Sequence, residues 1–295
     1  NMNMLAYAIN AAERVPLSDT ITLAGIDYLL ALGPQRKYSC CLYPDKNTTL
    51  EEAETYALSE TVRHAEIKDG MNILELGCGW GSLSLYLAEN FPNSHVVSVS
   101  NSAPQRTYIE AQAATRGLKN LTVITADMND FSIDQRFDRV VSVEMFEHMS
   151  NWQSLFERVR GWLHADGRLF IHVFTHRDRS YRFNHENPAD WIAHHFFTGG
   201  IMPAFDLPHR FGDLFTVEQD WRWSGRHYQQ TALDWLKNFD NSIDQIRPIL
   251  QQVYVQDAGL WARRWRLFFL ATAGLFGHEN GDAWGVGHYL LKPVK

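Results

Sequence analysis

The sequence predicts a doubly wound α/β fold, in which a mostly parallel sheet carries helices on both faces, and three observations lead to this prediction. Strand-like apolar runs alternate with helix-like runs over residues 71–175. A glycine-rich loop follows the first of these strands. The chain has 295 residues, 45% of them hydrophobic and 13% aromatic, which suffices for one large buried core. Regular alternation of strands and helices favours parallel strands joined by right-handed crossovers.

The elements of this region follow from local patterns. Short apolar runs bounded by turn residues predict strands, and periodic runs predict the helices between them. The predicted strands are residues 72–76, 95–99, 121–125, 137–143 and 168–174, and the predicted helices are about residues 82–90, 103–116 and 150–163. Ahead of them, Thr49 followed by Glu51 and Glu52 has the form of a helix start, so a helix is expected from there to about His64.

Two changes of pattern divide the chain into three predicted segments. Residues 1–70 form an N-terminal helical segment, residues 71–175 the sheet core, and residues 176–295 a cap with returning C-terminal helices and strands. The beginning of the cap, to about Leu214, has no clear period, which is typical either of a functional lid or of a poorly ordered segment. Beyond it, residues 231–241 and 253–274 predict helices, and residues 287–292 predict a strand that returns to the sheet.

Composition narrows the classes of function. With 27 basic and 34 acidic residues, the formal net charge is −7, so neither nucleic acid nor a stable membrane association is expected. Cys40, Cys41 and Cys78 form no disulfide or zinc pattern, and the histidines show no metal-ligand spacing. No apolar run reaches membrane-spanning length. These features predict a soluble cytoplasmic protein without a metal.

The loop Gly77-Cys78-Gly79-Trp80-Gly81 is the most informative stretch. Glycine lets the backbone turn sharply and approach a ligand closely, and ligands of open α/β sheets lie beyond the carboxyl ends of the strands. A dinucleotide site would normally show G-x-G-x-x-G, which this loop lacks. The compact G-x-G-x-G pattern with Glu75 before it therefore favours S-adenosylmethionine over NAD. An ordinary tight turn is the alternative that the glycine pair alone leaves open.

Four motifs resemble those of class I methyltransferases in their order along the chain. They are Glu75-Leu-Gly-Cys-Gly-Trp-Gly81, Ser98-Val-Ser-Asn-Ser102, Ala126-Asp-Met128 and Val143-Glu-Met-Phe-Glu-His-Met149. More narrowly, the sequence resembles the cyclopropane fatty acid synthase superfamily. Within it, Tyr38-Ser-Cys-Cys-Leu42, Glu144-Met-Phe-Glu-His148 and Phe196-Phe-Thr-Gly-Gly-x-Met-Pro203 are similar to the coclaurine N-methyltransferase group. The resemblance extends over roughly residues 25–292 and implies a Rossmann-like, cofactor-binding core over residues 71–175.

The resemblance implies S-adenosyl-L-methionine as cofactor, S-adenosyl-L-homocysteine as product, no metal, and a set of residues that bind the cofactor. These residues are Tyr38, Ser39, Gly77, Gly79, Ser100, Asn101, Gln105, Asp127 and Met128. The first four would hold the methionine part, and Asp127 and Met128 would meet the adenine. Where many class I enzymes carry an acid for the ribose, this chain has Ser100 and Asn101, which fits neutral hydrogen bonds. Asp127 has a second reading as a helix cap.

Glu144, Glu147 and His148 are the candidate catalytic residues. Methyl transfer to an amine needs an unprotonated nitrogen, whereas an alkylamine is mostly protonated near neutral pH. Carboxylates and an imidazole attract such a cation and accept its proton. If the chain turns helical directly after Val143, spacings of three and four residues place all three side chains on one face. The alternative is a solvated helix start, in which acids are favoured by the helix dipole.

The superfamily also offers a competing chemistry. Cyclopropane synthases use bound bicarbonate as base, held at positions that resemble Glu147, His172, Tyr228 and Cys40 in this sequence. Methyl or methylene transfer to unsaturated phospholipid acyl chains is therefore the alternative function. Glu144 argues against it, because the cyclopropane synthases typically carry a small residue at that position. His172 as a core histidine and Tyr228 as an anchoring hydroxyl are equally open readings.

The aromatic residues beyond Thr175 suit a flat or cationic small molecule. The resemblance indicates Phe197, Tyr228, Trp265 and Phe268 as substrate-binding, although core packing is an alternative for each aromatic residue. The sequence thus predicts an N-methyltransferase that acts on a small, tetrahydroisoquinoline-like amine. It leaves a homodimer open.

Overall fold

The computed structural model describes residues 30–184, 186, 191–196 and 199–294, which form a mixed α/β fold around a seven-stranded sheet. The strand order across the sheet is β3-β2-β1-β4-β5-β9-β8. Its strands are β1 (Asn72–Leu76), β2 (His95–Ser100), β3 (Leu121–Thr125), β4 (Phe137–Val143), β5 (Leu163–His176), β8 (Phe215–Ser224) and β9 (Trp284–Pro293). The short strands β6 (Tyr181–Arg182) and β7 (Ile201–Met202) pair separately.

The helices flank this sheet and form the cap. They are α1 (Leu50–His64), α2 (Ser82–Asn90), α3 (Ala103–Arg116), α4 (Trp152–Trp162), α5 (Trp191–His195), α6 (Gly225–Asn241), α7 (Ile243–Tyr254) and α8 (Ala258–Gly277). The predicted start of α1 is confirmed, because Thr49 and Glu52 form a reciprocal capping box there. α3 begins after the Ser102 cap and ends at Gly117 in the left-handed region.

The core lies on both faces of the sheet. Along β1, Ile73 packs with Val96 and Phe170 on one face, and the next residue, Leu74, packs with Val140 on the other. Successive strand residues point to opposite faces, so a strand covered on both faces is apolar at every position. This is why short uninterrupted apolar runs, rather than alternating ones, identified the central strands.

The strand order creates a switch point beside β1. β1 pairs in parallel with β2 on one side and with β4 on the other. The chain leaves β1 towards β2 and β3 and later returns to the opposite side of β1 as β4. The register pairs Leu76 with Ser142, so the loops that begin at Gly77 and Glu144 leave the sheet side by side. Ligands of open α/β sheets bind at such a switch point.

The far edge of the sheet is antiparallel and was only partly predicted. β9 lies antiparallel between β5 and β8, and it extends over ten residues instead of the six expected. The strand β8 was not predicted at all. This edge strand reads Phe-Thr-Val-Glu-Gln-Asp-Trp-Arg-Trp-Ser, and its pairing shifts register between Val217 and Gln219. Exposed polar residues and an irregular register hide the strand pattern.

The cap is built mainly from three helices near the C-terminus, and their bounds differ from the prediction. α6 begins at Gly225, six residues earlier than expected, and α8 begins at Ala258. α7 was missed, because Pro248 lies within it and proline is normally read as a helix breaker. The three-segment division of the chain stays a prediction. None of the helices in the described part of the chain is long and apolar enough to cross a membrane.

The start of α6 depends on glycine. A Cβ at Gly225 would collide with the backbone carbonyl oxygens of Phe276 and Trp284, which are both main-chain atoms that cannot rotate away. We expect Gly225→Ala to destabilise the fold by about 1–3 kcal/mol, the usual range for overpacking. Gly274→Ala in α8 is the matched control, since a Cβ there meets nothing within 4 Å and stabilises a helix by about 0.5–1 kcal/mol. Urea unfolding measures both, and equal effects would contradict this packing.

Candidate active site

The glycine loop after β1 forms one wall of the site. Gly77, Gly79 and Gly81 all have positive φ, and the N–H groups of Gly77 and Cys78 both donate to the carbonyl of Val99. A Cβ at Gly77 would lie 2.7 Å from the side chain of Met145, whereas a Cβ at Gly79 would meet nothing within 4 Å. Gly77 therefore permits contact with the neighbouring β4 loop, and the space over Gly79 is open to a ligand.

Glu75 supports this loop from below. Its buried carboxylate accepts hydrogen bonds from the hydroxyls of Ser84 and Ser98, which connects β1 to α2 and β2. Burial raises the pKa of Glu75 to about 7, while the two hydroxyls act in the opposite direction. Glu75 thus holds the loop in place and does not face a ligand.

The residues expected to contact the ribose gather at the end of β2. The Ser100 hydroxyl donates to Gln105 Oε1 over 2.6 Å, and the Ser102 N–H donates to Ser100 Oγ. Asn101 is exposed between them. The structure therefore brings Ser100 and Gln105 together at the carboxyl edge of the sheet, and it leaves the Asn101 side chain accessible.

Asp127 and Met128 follow β3 at the same edge. Asp127 Oδ1 accepts from the backbone and side-chain nitrogens of Asn129, so this carboxylate organises a turn. No helix starts at this point of the described chain, so the alternative reading of Asp127 as a helix cap is wrong. Asp127 is exposed, and Met128 packs partly into the apolar core beneath it.

The N-terminal segment reaches the site through residues 37–41. Buried Glu54 of α1 accepts the N–H groups of Gln35 and Lys37, and burial raises the pKa of Glu54 to about 7. The buried Lys37 ammonium donates to Ser39 Oγ over 2.5 Å and to the Cys40 carbonyl over 2.6 Å. Ser39 is thereby occupied within the protein, while Tyr38 is 46% exposed. Lys37 was not singled out in the sequence, because a lone lysine carries no motif.

The Glu144 carboxylate contacts three separate parts of the chain. Its Oε1 accepts from the Cys40 N–H over 3.0 Å and lies 3.2 Å from His172 Nε2, and its Oε2 accepts from the Tyr228 hydroxyl over 2.6 Å. Burial raises the pKa of Glu144, and Lys37, the Cys40 N–H, Tyr228 and His148 all act to lower it. A buried carboxylate is tolerated only when donors of this kind replace water.

The backbone at Glu144 corrects one sequence expectation. A helix does not begin after Val143, because Glu144 has a φ of 47° and only a short 3₁₀ turn, Phe146–His148, follows. A non-glycine residue in this conformation costs on the order of 1–3 kcal/mol. The three hydrogen bonds to its carboxylate hold it there. The helical-face geometry predicted for Glu144, Glu147 and His148 is therefore wrong, although the segment still lies at the switch point.

Glu147 is the buried acid of the short 3₁₀ turn. The residue is 1% exposed, and neither of its carboxylate oxygens has a hydrogen-bond partner within the described part of the chain. Burial and the nearby charge of Glu144 raise the pKa of Glu147 well above its ordinary value. Gly200 packs against its backbone, at a φ of 103° where a Cβ would collide with the Glu147 carbonyl. A buried carboxyl group without a partner is stabilised by a proton, a bound cation or a hydrogen-bond donor.

His148 is the most exposed of the three candidate catalytic residues. The residue is exposed to solvent, yet surrounding protein lowers the pKa of its imidazole, with Glu144 acting in the opposite direction. A mostly neutral imidazole in that position can accept a proton near neutral pH.

The predicted substrate residues lie in different surroundings. Phe268 stacks on Phe196 with centroids 4.5 Å apart, and Trp265 approaches Phe196 edge-on at 5.0 Å, so these rings form one aromatic wall. Tyr228 stacks on Phe276 at 4.3 Å and directs its hydroxyl to Glu144. Phe197 lies outside the described residues.

No cluster of metal-binding side chains occurs within the described ranges.

Known proteins resemble this chain over most of its length. The profile of the family described as mycolic acid cyclopropane synthetase matches residues 23–285. The chain is 35% identical over 288 residues to the (S)-coclaurine N-methyltransferase of Thalictrum flavum subsp. glaucum, covering 96% of this chain and 80% of that protein. It is 32% identical over 257 residues to the cyclopropane-fatty-acyl-phospholipid synthase of Escherichia coli strain K12, covering 86% of this chain and 62% of that protein.

Solved structures also resemble this chain. Coclaurine N-methyltransferase bound to N-methylheliamine and SAH superposes with a TM-score of 0.87 at 33% identity, covering 90% of this chain and 78% of that chain. The mycolic acid cyclopropane synthase CmaA1 complexed with SAH and CTAB superposes with a TM-score of 0.77 at 21% identity, covering 91% of this chain and 94% of that chain. The second likeness shows the fold alone.

The raised pKa of Glu147 predicts a pH-dependent stability. Between its unfolded pKa near ~4.3 and its higher folded pKa, the folded state binds one more proton than the unfolded state. Rising pH in this window therefore destabilises the wild type through Glu147. We expect Glu147→Gln to gain stability relative to wild type by up to about 1.4 kcal/mol per pH unit there. Urea unfolding between pH 5 and 7 measures the difference, and Glu157→Gln on the exposed face of α4 is the control. A difference that stays constant with pH would contradict the assignment.

Proposed function

The chain belongs to the mycolic acid cyclopropane synthetase family, as its motifs led us to expect, and we propose that it is an S-adenosylmethionine-dependent N-methyltransferase of a small, tetrahydroisoquinoline-like amine. Curated relatives named for the N-methylation of (S)-coclaurine, pavine and (S)-tetrahydroprotoberberine, each 30–35% identical over at least 88% of this chain, support this assignment. So does the superposition on the structure of coclaurine N-methyltransferase.

The carboxyl edge of the sheet fits the cofactor. Open space over Gly79 and the polar pair Ser100 and Gln105 lie where class I enzymes bind it, with the exposed Tyr38 and Asp127 at the border. When bound, S-adenosylmethionine supplies an electrophilic methyl group on a sulfonium sulfur. We assign Tyr38, Ser39, Gly77, Gly79, Ser100, Asn101, Gln105, Asp127 and Met128 to its binding. The protein then has to orient the nitrogen and exclude water.

The amine is the expected partner of the two acids and the histidine. The pKa of Glu147 is raised while the side chain lacks a partner among the described residues, and an adjacent cationic ammonium stabilises its ionised form, since the pair offsets the cost of burying either charge alone. Exposed His148 and the nearby Glu144 carboxylate are the groups that can take the proton that the ammonium must lose. We propose that these three residues bind and deprotonate the amine.

The choice between amine methylation and alkylation of acyl chains rests on the position of the Glu144 carboxylate. Three of the positions that resemble bicarbonate ligands in cyclopropane synthases are Cys40, His172 and Tyr228, and all three bind Glu144 here. A carboxylate has the shape and charge of bicarbonate. The side chain thus takes the position of the external base, which favours amine methylation over the alkylation of acyl chains.

The aromatic wall of Phe196, Trp265 and Phe268 supports a ring-bearing amine. Aromatic faces stack on planar rings and attract cations. We propose that this wall, with Phe197 and Tyr228, holds the substrate rings.

A cytoplasmic location is also proposed, because Cys40, Cys41 and Cys78 are all free thiols, as is usual in reducing compartments. Light scattering would test whether the protein is a homodimer.

The role of Glu144 is tested by an anion rescue. We expect Glu144→Gly to lower the rate of amine methylation by at least about 100-fold, as for the loss of a general base, while the positive φ is tolerated by glycine. Added bicarbonate or formate should restore part of the rate, because Cys40, His172 and Tyr228 still offer their donors. Glu144→Gln is the matched control, in which the amide fills the site and blocks rescue. Rescue of neither variant, or of both equally, would contradict the role.

The substrate class is tested directly with labelled S-adenosylmethionine. We expect label to enter tetrahydroisoquinolines, with ring-bearing amines preferred to alkylamines of similar basicity. Vesicles of unsaturated phospholipid, with and without bicarbonate, are the competing substrate. Label in the lipid acyl chains and none in any amine would refute N-methylation and support the cyclopropane-type reaction.

A further inference from the structure

Three buried histidines, which we call the histidine line, connect Glu144 to the end of α1. His172 Nε2 of β5 lies 3.2 Å from the Glu144 carboxylate, and His172 Nδ1 lies 2.8 Å from His288 Nε2 of β9. His288 Nδ1 lies 2.8 Å from Nδ1 of His64, the last residue of α1. Every contact is within hydrogen-bond distance, so each ring nitrogen along the line has to donate or accept.

The histidine line ends at an exposed arginine. His64 Nε2 lies 2.5 Å from the Arg63 guanidinium and 3.4 Å from the Glu60 carboxylate. The Arg63 and Glu60 side chains are 61% and 28% exposed and are paired with each other. The three histidines, in contrast, are at most 2% exposed. Hydrogen bonds therefore join a charge on the surface of α1 to the buried carboxylate in the site.

Aromatic rings hold the histidine line in place. Trp221 of β8 stacks on His64 with centroids 3.7 Å apart, and Trp223 packs on His288 at 4.2 Å. Phe170 of β5 meets His288 edge-on at 5.1 Å. Close packing of this kind leaves each imidazole in one orientation, with its nitrogens directed along the line.

The surroundings keep the three rings neutral. Burial lowers the pKa of His64 to about 4 and the pKa values of His172 and His288 well below the ordinary value. Arg63 at His64 and Lys37 at His172 lower the pKa further. A neutral imidazole has one donor nitrogen and one acceptor nitrogen, so the position of its single proton fixes both roles.

A line of neutral rings has two consistent directions. In the first, every ring donates towards the site, and His172 presents an Nε2–H that an ionised Glu144 accepts. In the second, every ring donates towards the surface, and His172 presents a lone pair, to which only a protonated Glu144 can donate. The direction of the line is therefore coupled to the protonation state of Glu144.

Arg63 selects the direction towards the site. A guanidinium can only donate, so His64 Nε2 accepts from Arg63 and the His64 proton is on Nδ1. That N–H donates to His288 Nδ1, which places the His288 proton on Nε2. His288 then donates to His172 Nδ1, and His172 carries Nε2–H towards the site. Glu60, whose carboxylate would favour the reverse direction, lies farther from His64 and is paired with Arg63.

We propose that Arg63 and the histidine line form a tautomer lock, which keeps Glu144 ionised until the amine arrives. This inference rests on the proposed function. An ionised Glu144 attracts the ammonium and accepts its proton, whereas a protonated Glu144 does neither. Arg63, His64 and His288 are positioning residues in this lock, because they act on Glu144 through His172.

The pH profile of kcat/KM for amine methylation tests the lock. His64→Leu and Arg63→Met each remove the donor that sets the direction, so protonation of Glu144 is no longer disfavoured. We expect the acid limb to move to higher pH by up to about one unit, a tenfold loss of kcat/KM on that limb. Well above the limb, both variants should approach the wild-type kcat/KM, since Glu144 is ionised there in every variant.

The matched control is His64→Gln, whose amide can accept from Arg63 and donate to His288. This variant should keep the wild-type acid limb. Glu60→Gln should keep it too, because Arg63 remains as the donor, whereas an effect of surface charge alone would move the limb opposite to Arg63→Met. Arg106→Met, at an exposed ion-paired arginine on α3, should leave the profile unchanged.

Other ionisable groups also face Glu144 and the histidine line, and the His64 variants leave all of them in place. They are Lys37 and Cys40 of the N-terminal segment, Glu147 and His148 of the 3₁₀ turn, Tyr228 of α6, and Arg63 and Glu60 of α1. The amine substrate and its ionisation are also the same throughout. A shift in His64→Leu that is absent from His64→Gln therefore comes from the line itself.

The outcomes separate a lock from a merely structural role. Thermal unfolding and binding of S-adenosylhomocysteine first establish that each variant is folded. Should His64→Leu fail to fold, Arg63→Met still tests the lock, because that side chain is mostly exposed. A loss of kcat/KM that is equal at every pH, or an unchanged acid limb in Arg63→Met, would overturn the lock.

A second measurement does not depend on turnover. Nitrogen-15 spectra of the histidine-labelled protein should show neutral rings, protonated on Nε2 in His172 and His288 and on Nδ1 in His64. Arg63→Met should move the His64 signal towards the Nε2–H tautomer, because the Glu60 carboxylate then accepts at that nitrogen. Opposite tautomers in the wild type, or no response to Arg63→Met, would refute the lock. If the wild type methylates no amine, the proposed function fails, and these spectra still decide the direction of the line.

Discussion

The buried carboxylate of Glu144 is the interaction on which the site depends. A carboxylate loses its hydration when it is buried, and it stays ionised only if protein donors replace the lost water. Its donors come from three separate parts of the chain: Cys40 in the N-terminal segment, His172 in β5 and Tyr228 in α6. The sheet, the cap and the N-terminal segment must therefore all be in place before this charge is stabilised. The same bonds hold the strained backbone at Glu144.

The two glutamates of the segment have opposite surroundings and hence different chemistry. Glu144 is surrounded by donors, whereas Glu147, three residues later, has no partner among the described residues. When environments separate the pKa values of neighbouring acids, the acids take separate roles. A carboxylate fixed by the protein is suited to accept a proton, and an unpaired one is suited to bind a cation. An amine substrate needs both properties, because it arrives as a cation and reacts as the neutral base.

The antiparallel edge of the sheet brings a histidine of β9 next to a histidine of the five parallel strands. β9 inserts between β5 and β8, and its register sets His288 opposite His172. The end of α1 then lies near enough for His64 to reach His288. This edge was the part of the sheet least visible in the sequence, because β8 is polar and irregular. The core strands were visible, because burial on both faces makes each of them a continuous apolar run.

The sequence by itself determined the alternating core, the bounds of α2, α3, β1, β3 and β4, the glycine loop and the family. These depend on local periodicity, capping and turn residues, which act over a few positions. Only the tertiary structure decided which side chains meet Glu144, since its donors lie 28, 84 and 104 residues away along the chain. It also decided the left-handed backbone there, which no local preference of glutamate favours. Long-range packing fixes such contacts, and sequence spacing carries no record of them.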